Sequence, residues 1–376
     1  MELFSGLTTM EGVLSAKAMI FNLPIGGTLE LLPLCNMNCR MCYVKQSKSE
    51  LDAQGNLLSC DEWLQIAESA REAGVLYLLI TGGEPLLYPE FQKLYLALSD
   101  MGFILTINTN GTLLDEEWAD FFAEHPCRQI NITIYGKDAD TYANLCGYRN
   151  GFARVTNAVR LLQERHISIR LGFTNTPCNI DQQDDFFRMV EKYQTKHINT
   201  CYCFPPYRRN LTAADIDRLS PEEAATGKWK YILFKNQGIS REIVAENALE
   251  ELSQQARTQG SGYHCGAGRN GFWINWKGEL LPCGMFQAPS VSLLTHEFSE
   301  AWQTVSSAYQ QLPVCEACEN CALCNLCDVC PAGCLTETGT TAQAPDYLCQ
   351  MTRAYLALLL QELPAEKQKP YLHYLH

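Results

Sequence analysis

The sequence predicts an α/β fold, a partial (β/α)6 barrel followed by a small cysteine-rich domain, and three observations predict it. Six short β-rich apolar runs alternate with amphipathic stretches between residues 28 and 204, and ten of the nineteen cysteines crowd into residues 264–349. The 376-residue chain is also 47% apolar, enough for a substantial core.

In chain order, residues 1–27 form an N-terminal extension. Residues 28–204 form the barrel, with strands expected at Thr28 to Leu34, Val75 to Thr81, Phe103 to Thr109, Ile130 to Tyr135, Ile167 to Thr174 and Ile198 to Phe204. Helices lie between them. Ser59 to Glu62 reads as a capping box before Trp63 to Glu72, Asp115 opens Trp118 to Glu124, and Gly151 precedes Phe152 to Arg165. Parallel strands must be covered on their faces and their connections are right-handed, so an open barrel follows, with its chemistry at the C-terminal strand ends. Pro205-Pro206 breaks the pattern and starts a helical bridge, 205–262, with helices near Pro221 to Asn236 and Ser240 to Thr258. Residues 263–350, rich in Cys, Gly and Pro, are expected to fold around metal more than around an apolar core. The tail, 351–376, carries a helix over Met351 to Leu363 that can pack on either domain.

A formal charge of -13 weighs against a nucleic-acid partner, because phosphate binding needs clustered Lys and Arg. Apolar runs such as Val75 to Ile80 and Tyr355 to Leu360 are far too short to span a membrane. The start, Met1 to Ser5, lacks the basic residues of a secretory signal, so a cytoplasmic protein is expected. Nineteen thiols in a reducing compartment point to metal or cluster ligation.

The most informative motif is Cys35-x3-Cys39-x2-Cys42, directly after the first expected strand. Three thiolates on one loop can hold three irons of a [4Fe-4S] cluster and leave the fourth open to a ligand. This spacing in this place resembles the radical SAM (S-adenosylmethionine) superfamily, and further segments agree. Thr81 to Pro85 resembles the turn that binds the methionine part of SAM, with Gly82 and Gly83 admitting close backbone approach and Glu84 orienting the amino group. Asn108, in Asn108 to Thr112, and Thr133, in Thr133 to Gly136, resemble family segments near the ribose and carboxylate. By the same resemblance the Met41 backbone lies near adenine and Arg170 pairs with the methionyl carboxylate. Asn-Gly is also a common turn dipeptide, and Arg170 reads equally as a surface charge.

The C-terminal text, Cys265-x12-Gly278-x4-Cys283, then Cys321-x2-Cys324-x5-Cys330-x3-Cys334 and Cys349, resembles the seven-cysteine SPASM domain, as does His264 to Gly268. The resemblance implies two auxiliary [4Fe-4S] clusters, three clusters in all with the SAM-binding one. Cys265, Cys283 and Cys334 would hold the first, and Cys321, Cys324, Cys330 and Cys349 the second. The first is one ligand short. Gln259 to His264 contains no cysteine, so Cys315 or Cys318 completes the set or an iron stays open. Cysteine recurs every third residue from Cys315 to Cys330, and Cys324-x2-Cys327-x2-Cys330-x3-Cys334 also fits a ferredoxin run, so the register stays ambiguous. Cys60, Cys127, Cys146, Cys178, Cys201 and Cys203 read as small buried hydrophobes, with Cys201 and Cys203 able to face the cavity. His373 and His376 read as exposed.

Enzymes of this resemblance commonly modify peptides or proteins. Maturation of a ribosomally synthesised peptide by a thioether or carbon-carbon crosslink is the leading expectation, with a flavodoxin or ferredoxin as one-electron reductant. Residues 1–27 are too few for a leader-binding module of about 80 residues, so a separate leader-peptide-binding protein or a barrel edge would hold a leader. Formylglycine formation in a sulfatase is weakened by Gly284, where such maturases carry Asp after the cysteine corresponding to Cys283. A small-molecule reaction, on a tetrapyrrole or cofactor precursor, stays open. A non-catalytic electron carrier has no use for an open iron beside a Gly-Gly-Glu turn.

Overall fold

The computed structural model describes residues 9–209, 212–253 and 265–375. Expectations on residues 1–8, on the bridge helix beyond Ser253, on 259–264 and on His376 lie outside the described residues.

Helix α1 (Met10–Phe21), which the sequence reading missed, precedes strand β1 (Gly26–Glu30). Helices α2 (Lys48–Gln54) and α3 (Cys60–Glu72) lead to β2 (Tyr77–Thr81), α4 (Phe91–Asp100) to β3 (Ile104–Thr109) and α5 (Glu116–Glu124) to β4 (Gln129–Ile134). Helices α6 (Ala139–Cys146) and α7 (Gly151–Glu164) lead to β5 (Ile169–Thr174), and α8 (Gln183–Tyr193) to β6 (Lys196–Thr200). The helix starts follow local chemistry. Ser59 and Glu62 form the expected reciprocal capping box, and the Trp118 N–H donates to Asp115 Oδ1 at 3.1 Å.

Strands β1 to β6 are parallel neighbours in sequence order. Most strand boundaries shift from expectation by one or two residues, and two C-terminal ends fall about four residues early. β1 ends at Glu30, so Leu31 and Leu32 are buried apolar residues beyond the ladder, and β6 stops at Thr200 because Cys201 onward leaves β5 ahead of Pro205.

Helices α9 (Pro221–Lys235) and α10 (Arg241–Ser253) make the bridge. The C-terminal section then adds β7 (Gly271–Ile274), β8 (Glu279–Leu281) and β9 (Val291–Ser292), followed by α11 (Phe298–Gln310), α12 (Glu316–Glu319), α13 (Pro331–Thr338) and α14 (Asp346–Gln361). β7 pairs in parallel with β1, while β8 and β9 follow antiparallel, so barrel and C-terminal section share one nine-stranded sheet.

The C-terminal section is more apolar inside than its composition suggests. Phe272, Ile274, Leu280, Phe298 and Trp302 join the barrel core, and Leu323 and Leu326 join a second core with α9, α10 and α14. The tail helix therefore packs on the bridge: the Trp229 and Tyr355 rings lie 6.3 Å apart, and Trp229 Nε1 donates to Glu362 at 3.2 Å. No helix among the described residues is long and apolar enough to cross a membrane.

Candidate active site and thiol clusters

The loop after β1 is held by its backbone. The Asn38 and Arg40 N–H groups donate to the carbonyls of Cys146 (2.7 Å) and Leu145 (3.1 Å) at the end of α6, and Lys45 Nζ donates to Met37 O at 2.6 Å. These bonds turn Cys35, Cys39 and Cys42 toward one cavity of about 470 Å³ at the C-terminal ends of β1 to β6. Burial pushes the Cys35 thiol up to about 12 and also raises Cys42, whereas Cys39 is lowered, first by its contact with the Cys146 thiol. N–H groups of Met37 and Lys45 donate to Cys35 Sγ (3.4 Å) and Cys42 Sγ (3.3 Å), so thiolates here are partly solvated by backbone. Ionising all three in so dry a place would require a cation, which a bound iron-sulfur cluster would supply.

Met41, Gly82, Gly83, Asn108, Thr133 and Arg170 line the same cavity. The pleat explains the wall: Asn108, Asn131 and Arg170 are register partners across β3, β4 and β5 and point the same way. Asn131 Nδ2 donates to Asn108 Oδ1 at 2.7 Å, but the buried Nε of Arg170 has no partner. A ligand carboxylate would satisfy it. At Gly82 and Gly83 a Cβ would stand 2.5 Å from Leu32 O and 2.2 Å from Leu34 O, so only glycine lets this turn lie against the chain entering the cluster loop.

Glu84 behaves differently from the expectation that it orients a ligand amine. It is fully buried and does not line the cavity; its carboxylate accepts from Thr109 Oγ1 (2.8 and 2.9 Å), Asn110 N–H (2.8 Å) and Leu86 N–H (3.1 Å). Burial pushes its carboxyl up to about 7 against those hydrogen bonds. The residue that Glu84 holds is Asn110, absent from the expected set, whose Nδ2 reaches Asn36 Oδ1 (2.9 Å) and Cys35 Sγ (3.6 Å).

Cys203 faces the cavity with Tyr202, Phe204 and Met285, whereas Cys201 turns behind the sheet, where its Sγ would sit 2.8 Å from a Cβ at Gly227. Arg208 ties the cavity to the C-terminal section: it pairs with the fully buried Glu30 at 2.8 and 3.0 Å and donates to Gly284 O at 3.0 Å, while Trp273 Nε1 donates to Glu30 at 2.6 Å. Gly284 thus stands beside Cys283 as a backbone acceptor, with no side chain to act as a base.

The C-terminal thiols fall into three groups. Cys265, Cys283 and Cys330 lie near one another: burial raises Cys283 and pushes Cys330 up to about 12, with the Cys265 thiolate adding to both and Cys283 to Cys330. Cys321 and Cys327 do the same to Cys349, which burial lifts to about 11. Cys324 sits between the first two on successive turns, with Cys324 N–H to Cys321 O at 3.1 Å and Cys327 N–H to Cys324 O at 3.3 Å. Cys334 instead contacts Cys318, which touches Cys315. The structure therefore puts Cys330, where the register expectation had Cys334, beside Cys265 and Cys283, and Cys327 beside Cys321 and Cys349, where it had Cys330. Among the described residues no three His, Cys, Asp or Glu side chains have the geometry of a single-ion site.

Residues 29–191 match the radical SAM superfamily. The AdoMet-dependent heme synthase of Methanosarcina barkeri is 23% identical over 291 residues, 73% of this chain and 80% of that protein. The sporulation killing factor maturation protein SkfB of Bacillus subtilis is 28% identical over 163 residues, 43% of this chain and 38% of that protein, so the match spans well under half of SkfB. In fold, the chain resembles Streptococcus suis SuiB bound to its precursor peptide SuiA, with a TM-score of 0.67 at 16% identity over 92% of this chain and 82% of that one.

Proposed function

With residues 29–191 belonging to the radical SAM superfamily as the premise, we propose that the chain is an enzyme that cleaves SAM reductively and takes hydrogen from a peptide, maturing a ribosomally synthesised peptide by a thioether or carbon-carbon crosslink. One observation carries this reading: three thiols, a glycine turn and an unpaired guanidinium nitrogen meet in one cavity. When bound there, the cluster supplies one electron that breaks a carbon-sulfur bond of SAM and leaves a 5'-deoxyadenosyl radical.

The chain's own residues do the rest. Cys35, Cys39 and Cys42 ligate the cluster, and Asn110 orients Cys35 under the control of Glu84. Arg170 holds the methionyl carboxylate, the Gly82–Gly83 backbone approaches the amino group, Asn108 and Thr133 face the ribose, and the Met41 backbone meets adenine. Tyr135, Tyr202, Phe204 and Met285 wall off water above them. Cys265, Cys283 and Cys330 would hold one auxiliary [4Fe-4S] cluster and Cys321, Cys324, Cys327 and Cys349 a second, which would supply acceptors for the surplus electron; this set follows the thiol groups and shifts the SPASM register. A flavodoxin or ferredoxin delivers electrons, and a separate protein or an edge of the barrel holds any leader peptide. SkfB, a maturation protein by name, and SuiB with its precursor peptide support a peptide substrate.

A tetrapyrrole substrate is the second reading, favoured by the heme synthase relative matched over 73% of the chain. Anaerobic turnover with the short peptide encoded beside the gene, in parallel with an iron tetrapyrrole bearing propionates, separates the two. Loss of two hydrogens from the peptide is the expected result; loss of carboxyl groups from the tetrapyrrole with an unchanged peptide sinks the first reading.

A further inference from the structure

We propose that the substrate residue that gives up hydrogen carries an uncharged side chain, and that Ile198, Tyr202, Phe204 and Met285 select it. The proposal rests on the peptide reading above and narrows its substrate to residues other than Asp, Glu, Lys, Arg and His. It stands on the charge of the cavity lining and on the space inside it.

Among the described residues that line the cavity there is no Asp, Glu or His, and its cations are Lys45 and Arg170. Lys45 Nζ is engaged by Met37 O at 2.6 Å and Asn38 Oδ1 at 3.2 Å, and Arg170, with its unpartnered Nε, is assigned to the SAM carboxylate. The Tyr202 hydroxyl is engaged outside the cavity, donating at 2.8 Å to Glu337, which does not line it. The Tyr202 ring meets Phe204 edge to face, with centroids 4.8 Å apart. A charged substrate side chain would lose its water here and find no opposite charge, which is strongly unfavourable. Hydrogen transfer makes no demand for a charged group. The atom leaves its carbon as proton and electron together and joins the 5' carbon of the deoxyadenosyl radical, so one C–H bond breaks, one forms and no base takes part.

The cavity, about 470 Å³, lies low in the range of about 300–1,000 Å³ that one drug-sized ligand fills, and SAM with its cluster would take most of it. The substrate is left the open side, where β6 is the edge strand of the sheet and Ile198 is 45% exposed. The Thr200 carbonyl accepts from the Asn175 N–H at 2.8 Å on the β5 side, so alternation turns the His197 carbonyl outward, and the Tyr231 hydroxyl donates to it at 3.3 Å. A peptide adding as a further strand would meet that hydroxyl. It crosses the mouth instead and lowers one side chain onto Ile198, between Tyr202, Phe204 and Met285.

The test uses the peptide encoded beside the gene, made with one residue type deuterated at a time and turned over anaerobically by the reconstituted full-length chain; deuterium in 5'-deoxyadenosine is read by mass. Transfer from an uncharged residue is the expected result. Transfer from Asp, Glu, Lys, Arg or His overturns the proposal and leaves the peptide reading standing, whereas transfer only from a deuterated tetrapyrrole overturns both. In a second measurement, Ile198→Asp should cut transfer at least about tenfold and Ile198→Val far less, with SAM affinity by dialysis unchanged in both. Undiminished transfer in Ile198→Asp overturns the proposal.

Discussion

The carboxylate of Glu84 and the hydroxyl of Thr109 are joined twice, at 2.8 and 2.9 Å, so Thr109, which lines the cavity, is held from behind by a carboxylate that does not. Glu84→Ala is expected to loosen Asn110 and weaken SAM binding by roughly tenfold or more, since a buried bond to a charged group is worth about 1.5–3 kcal/mol. Equilibrium dialysis with SAM checks this. The pH dependence has a definite sign. A carboxyl held at about 7 when folded, against about 4.3 unfolded, binds its proton more tightly in the native state, so its stabilisation is full below about 4 and is lost as pH rises through about 7. In cluster-free protein, urea midpoints should fall across that window, and Glu84→Gln should flatten the slope.

Arg170→Met should raise the Kd for SAM roughly 10- to 100-fold, the loss of one charge-assisted pair, while leaving cluster iron unchanged. Calorimetric titration of the reconstituted protein reads the first and iron analysis the second. Affinity unchanged within twofold would remove Arg170 from the site.

Each of Cys35→Ala, Cys39→Ala and Cys42→Ala should abolish 5'-deoxyadenosine formation, and the triple variant should hold about four fewer irons per chain. Chromatography of dithionite-reduced reactions with SAM is the measurement. Turnover retained in the triple variant would disprove the central assignment.

Arg208→Met should destabilise the protein by about 3–5 kcal/mol, because it leaves Glu30 charged, buried and short of a partner. Glu30→Gln/Arg208→Met should recover much of that loss, since neither charge then remains. Urea unfolding of the two single variants and the double completes the cycle.

Much of the barrel was legible because its signals are local. Six apolar runs, the Ser59–Glu62 box and the Cys35 triplet each declare themselves within a dozen residues. Glu84 was legible as part of a turn, but the direction of its carboxylate depends on β3, 25 residues later, and no pattern in Thr81 to Pro85 encodes that. The C-terminal register was hidden for a different reason: cysteine every third residue from Cys315 to Cys330 looks the same after a shift of three, so only the nearness of Cys330, the residue that caps α13, to Cys265 and Cys283 tells it from Cys334. Strands β7 to β9 are two to four residues long, below the length at which alternation can be read, and their partner β1 lies over 240 residues away.

That last pairing has a consequence for biosynthesis. Residues 26–29 wait on residues 271–274 to complete the ladder, so the strand that feeds the cluster loop stays half-paired until nearly three-quarters of the chain has left the ribosome. Contacts this distant close slowly, and domains assemble from the N-terminus as they emerge. On the proposed ligation, iron loading at Cys35, Cys39 and Cys42 is expected to follow that closure.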